Sequence, residues 1–121
     1  MRQKLFAVII IIIVVSFVII NTIVIESQID DIQKRVENLI IHKENATEEA
    51  VDIYNEFKKK EIYISLTVNH DDLTNIEDYF VELVGCLSIG NVDDASVTKD
   101  RLTSSLEHLR RLSTFTIDAI I

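Results

Sequence analysis

"LFAVIIIIIVVSFVIINTIVIESQIDDIQKRV", Leu5 to Val36, passes from unbroken hydrocarbon to charge with no Gly or Pro between. Between Leu5 and Ile25 only Ser16, Asn21 and Thr22 carry polar side chains. As a helix this stretch measures about 31 Å, which matches a bilayer core of about 30 Å. A secretory signal has a shorter apolar region followed by a small-x-small cleavage site. Val24, Ile25, Glu26 and Ser27 hold no such pair of small residues. The stretch therefore reads as a span that stays in the membrane. A buried helix of a soluble protein would need the remaining chain to wrap every face of a uniformly apolar stripe.

Beyond the span the apolar residues become periodic. Ile25, Ile29, Ile32, Val36 and Leu39 recur at spacings of four and three, one stripe of a helix. With no breaker between span and stripe, the two form one continuous helix whose first part faces lipid and whose second part buries a seam.

Three further helices are expected to cover that seam. The first starts at "NATEE", with Asn45 as cap and Glu48 placed for a capping box, followed by Ala50, Tyr54, Phe57, Ile64 and Val68. The next opens at "NHDDL", with Asn69 as cap and Asp71 and Asp72 at the positive end of the helix dipole. Leu73, Ile76, Phe80, Leu83 and Leu87 then give the cleanest heptad pattern, and Gly90 ends the helix. The last starts at "NVDDA", capped by Asn91, and carries Ala95, Leu102, Leu106, Leu109 and Leu112 on one side. Zero prolines, two glycines and short connections favour helices packed side by side. The expected fold is all-α, with one N-terminal transmembrane helix continuing into an antiparallel bundle of about four helices. Residues 1–4 form a basic cytoplasmic tail, 5–25 the transmembrane helix and 26–121 an extracytoplasmic helical domain.

Arg2 and Lys4 precede the span, whereas all 20 acidic residues follow it. With a total charge of −8, removal of those two leading positive charges leaves the body at −10. Basic residues before the span favour the N-terminus inside, although Lys34 and Arg35 follow soon after it. An acidic body repels nucleic acid, whose phosphates need concentrated Lys and Arg. The run Lys58-Lys59-Lys60 reads as a solvated helix face. Cys86 is the single cysteine, so an intramolecular disulfide, a CxxC pair and a zinc knuckle are excluded. It is expected to be a small buried residue among Val84, Leu87 and Ile89.

Nucleotide-binding and hydrolase motifs are absent, and two glycines do not build a phosphate-cradling loop. The sharpest constellation is His70-Asp71-Asp72, a candidate metal-ligating group for a sensor or enzyme. Consecutive helical residues point to different faces, so a helix cap is the favoured reading and no catalytic, cofactor-binding or metal residue is assigned. His42 and His108 read as partly exposed polar side chains, and Glu107 with Arg111 as a surface ion pair. The expected cofactor complement is none. The expected partners are the lipid bilayer, met through Leu5 to Ile25, and another membrane protein or a second copy of the chain.

The segments "NHDDLTNIEDYFVEL", "IGNVDDA" and "SSLEHLRRLSTFTIDAII" together resemble a group of small single-span membrane proteins from spore-forming Firmicutes, known only as a domain of unknown function. The most specific part is Asn69 to Leu73 with Leu106-Glu107-His108-Leu109. This chain lacks the Trp that such relatives often carry before the second helix. The resemblance implies a membrane-anchored helical domain associated with sporulation, sometimes encoded beside multi-span spore membrane proteins. It implies no activity and no catalytic residue.

Overall fold

The computed structural model describes residues 1–65 and 70–120, with side chains in the second segment as far as Leu112. Val68 and Asn69, expected to close the second stripe and to cap the third helix, lie outside the described residues. Four helices and no strand occur among the described residues: α1 (Arg2–Glu37), α2 (Ala46–Ser65), α3 (His70–Ser88) and α4 (Val92–Ile120).

Helix α1 runs 36 residues without a break, about 54 Å at the rise of an α-helix. Its apolar N-terminal stretch is almost entirely exposed, and the helix is long and apolar enough to cross a membrane. The sleeve from Arg2 to Phe17 is exposed on every side, and packing begins at Val18 and Thr22. From there Thr22, Ile25, Ile29, Ile32, Val36 and Leu39 are buried in heptad register. The packed seam thus starts inside the 5–25 stretch, one helical turn before its end. Thr22 enters this apolar seam because its hydroxyl donates to the Val18 carbonyl at 2.8 Å, so the polar group is satisfied within its own helix.

The other stripes close on that seam in a square. Helix α1 meets α2 and α4, α3 meets the same two, and neither diagonal pair approaches directly among the described residues. Leu73, Ile76, Phe80 and Leu83 from α3, and Ala95, Leu102, Leu106 and Leu109 from α4, are buried as their spacing predicts. Leu87 and Leu112 are half-buried at the two ends. In α2 the buried residues are Ala46, Ala50, Ile53, Phe57 and Ile64, with Tyr54 half-buried beside them. Phe80 joins the layers, its ring 5.4 Å from Phe57 and 5.5 Å from Tyr54. Each fully buried Leu, Ile or Phe stabilises the fold by about 1.5–3 kcal/mol relative to exposure, so these four stripes carry the bundle.

Two termini show how local chemistry sets the connections. At the end of α3 the Asn91 N–H donates to the Cys86 carbonyl at 2.9 Å and the Gly90 N–H to the Leu87 carbonyl at 3.2 Å. That pair of bonds is a Schellman motif, which requires the left-handed conformation that Gly90 adopts at φ 74°. One residue later Asn91 caps α4: its Oδ1 accepts from the Asp94 N–H at 3.2 Å, and its Nδ2 donates to the Asp94 carboxylate at 2.6 Å. The start of α2 differs from the expected box. There the Asn45 amide donates to Glu49 at 3.2 Å, while Glu48 is exposed, so the carboxylate that engages Asn45 is one residue further along.

Candidate functional site

The acidic triplet is divided by the helix that carries it. In the first turn of α3, His70 and Asp71 are exposed while Asp72 is half-buried towards α4. Asp72 there lines a small polar cleft of about 220 Å³ with Asn75, Ser104, Ser105 and His108. The His70 carbonyl accepts from the Thr74 hydroxyl at 3.0 Å. The structure thus places Asp72 and His108 in the lining of one cleft, a juxtaposition across two helices that spacing along one helix does not reveal. Among the described residues no three His, Cys, Asp or Glu side chains gather closely enough to hold a metal ion. One carboxylate and one imidazole beside hydroxyls form a hydrogen-bonding cleft, short of the ligand set a stable metal centre needs. Cys86 is a free, half-buried thiol, and its expected neighbour Ile89 is exposed.

The basic run on α2 is dispersed into ion pairs. Lys58 bonds Glu77 of α3 at 2.8 Å, lies 3.6 Å from Glu61 and sits over the Tyr54 ring at 5.8 Å. Lys60 reaches Glu56 at 3.4 Å, and Glu56 also pairs with Arg35 of α1. Burial and the neighbouring Glu77 carboxyl push the Glu61 carboxyl above its usual value. Hydrogen bonding to Glu61 and Lys58 holds Glu77 below its own. Lys34, bonded to Asp30 at 3.0 Å, and Lys58, bonded to Glu77, are both raised by these partners. Glu107 and Arg111 form the expected surface pair at 2.9 Å. These contacts stitch α1 to α2 and α2 to α3; Lys58 and Lys59 are exposed and Lys60 is half-buried.

Lys99 has a role that periodicity did not signal. From α4 its ammonium donates to the carbonyls of Glu37 at 3.0 Å and Leu39 at 2.8 Å, closing the C-terminal end of α1. Those carbonyls lack intrahelical partners and lie at the negative end of the dipole of a long helix. A basic side chain answers both.

At the opposite end of the bundle lies an apolar groove of about 430 Å³, lined by Phe17, Ile20, Asn21, Val24, Ile25 and Gln28 of α1 and by Tyr63 of α2. Its lower wall belongs to the apolar sleeve and its upper end carries the Gln28 amide. Gln28 Oε1 is buried without a hydrogen-bond partner, as is Gln33 Oε1 higher on the same helix. The groove exists because α2 ends against α1 below the point where the span was expected to leave the bundle. On α2 its wall is Tyr63, which with its exposed neighbour Ile62 falls outside the α2 stripe. No protein-family model matches this chain, and no curated protein or solved structure matches it.

Proposed function

We propose that this chain is a noncatalytic helical interaction or scaffold module, held on the outer face of the cytoplasmic membrane by α1 with its N-terminus inside. The observation that carries this reading is the sleeve Arg2–Phe17, exposed all round and continuous with a packed bundle. A hydrocarbon surface of that extent is compatible with water only if something else covers it. The placement of Arg2 and Lys4 supports the orientation. The −10 body supports a protein partner or a second copy of the chain over nucleic acid. The resemblance to small single-span proteins of spore formers supports an association with spore membrane proteins.

The division of His70, Asp71 and Asp72 between solvent and cleft supports a structural role for the triplet. The competing reading, a metal-dependent sensor, draws on the meeting of Asp72 with His108 in one cleft. Its test is thermal melting with and without a chelator. The module reading expects unchanged melting for wild type and for His108→Ala; a chelator-induced drop in wild type that is absent from His108→Ala would establish the sensor.

Orientation is tested with Cys86, the single thiol. After unfolding in place, an impermeant thiol reagent should label it from outside the cell. Labelling solely from the cytoplasmic side would reverse the topology. Mild-detergent purification of the full chain, beside a fragment starting at Glu26, should show whether a membrane partner copurifies through the span or through the bundle.

A further inference from the structure

We propose that the groove at the foot of the bundle holds the acyl chain of a bilayer lipid from the leaflet adjoining the bundle, and that the last turn of α2 is immersed in that leaflet. The inference rests on the membrane-anchored reading above and adds to it a defined lipid contact. The groove's wall is the span itself: Phe17, Ile20 and Val24 are 70%, 62% and 47% exposed, and they lie within the apolar stretch. Whatever medium surrounds the sleeve therefore enters the groove. From Phe17 to Gln28 the helix rises about 16 Å, close to one leaflet's share of a core of about 30 Å.

The α2 side points the same way independently. Ile62 and Tyr63 are 72% and 59% exposed, and they are the only consecutive large apolar residues exposed outside α1 among the described residues. In water this pair would be an unexplained cost, whereas at a membrane interface a Tyr places its ring in hydrocarbon and its hydroxyl at headgroup level. Helix ends in lipid must also satisfy their backbone carbonyls internally. The Ser65 hydroxyl satisfies one of them here, donating to the Ile62 carbonyl at 2.8 Å. Phe17 lies at the sleeve end of the groove and the Gln28 amide at the bundle end, with Asn21 the one polar side chain of α1 lining it between them.

The chain has no Trp, so Tyr63→Trp introduces a single indole, placed in the groove. The full-length variant is reconstituted into phosphatidylcholine vesicles with brominated or unmodified acyl chains. We expect at least a threefold loss of indole emission in the brominated vesicles, with Val24→Phe, which fills the groove, reducing that quenching by half or more. Unquenched emission from protein that still resists carbonate extraction would overturn the lipid contact and leave the anchor standing. Undiminished quenching in Val24→Phe would overturn the groove as the site. Unquenched emission together with a crosslinked dimer would assign the groove to a second copy. Release of the protein by carbonate would overturn the anchor and the lipid contact together.

Discussion

At the scale of single residues the fold depends on a few groups that answer specific backbone needs. Lys99 is the clearest, since two carbonyls at the end of α1 take its protons. Lys99→Met should cost about 1–2 kcal/mol by denaturant unfolding, because charged hydrogen bonds are lost at a partly buried helix end. Lys59→Ala, at an exposed position, should stay within about 0.5 kcal/mol. The two glycines should behave oppositely. Gly90→Ala forces a side chain into the left-handed region and should cost about 1–2 kcal/mol. Gly85 lies mid-helix with nothing within 4 Å of a would-be Cβ, and Gly85→Ala should stabilise by about 0.5–1 kcal/mol. Equal signs for the two glycines in thermal melts would contradict the Schellman assignment. The carboxyl pair gives a pH signature. Glu61, raised in the folded protein, stabilises below its unfolded value, and that contribution is lost as pH rises through its folded pKa. Glu77, lowered, stabilises above its unfolded value, and that contribution is lost as pH falls through its folded pKa. The two slopes oppose each other. Glu61→Gln removes the first, keeps the Lys58–Glu77 bond and leaves an amide that can still donate to Glu77, so the variant should match or slightly exceed wild-type stability at pH 7 and lose that advantage towards pH 4. A variant that is much less stable at pH 7 would show that Glu61 serves chiefly as the partner of Lys58.

At the scale of elements, what was legible followed from period. Ile25 to Leu39, Leu73 to Leu83 and Ala95 to Leu109 read directly as buried seams, because three-four spacing allows only one face of a helix to turn inward. Gly90 and Asn91 were legible because αL geometry and side-chain capping each favour very few residue types. The stripe of α2 was harder to read: Lys58 to Glu61 interrupt it, and Ile53, which completes it, was hidden beside Tyr54. Lys99, the Asp72–His108 cleft and the groove at Tyr63 were not legible, since each joins residues from different helices and no periodicity along one helix encodes such a meeting. The onset of packing at Thr22 was also missed, because a polar residue in a span gives no sign that its hydroxyl bonds its own helix. The continuity of α1 carries a prediction at this scale. In lipid vesicles, amide hydrogen exchange should show unbroken protection from Val8 to Val36, passing through Asn21–Ser27 without a fast segment. Fast exchange confined to Ile23–Ser27 would mean a hinge between anchor and bundle.

At the scale of the whole molecule, one helix joins an apolar stretch long enough to cross a membrane to a packed bundle. Its lower part exposes hydrocarbon on all sides, its upper part supplies one quarter of a square bundle, and the overlap between Val18 and Ile25 ties the two together. On the proposed reading the bundle's foot would lie at membrane level with its acidic surface above it. That arrangement stands or falls with the span. Membranes from cells making the full-length chain, washed with alkaline carbonate, should retain the protein in the pellet at its full length; recovery in the supernatant, or as a shortened soluble product beginning near Glu26, would contradict the account.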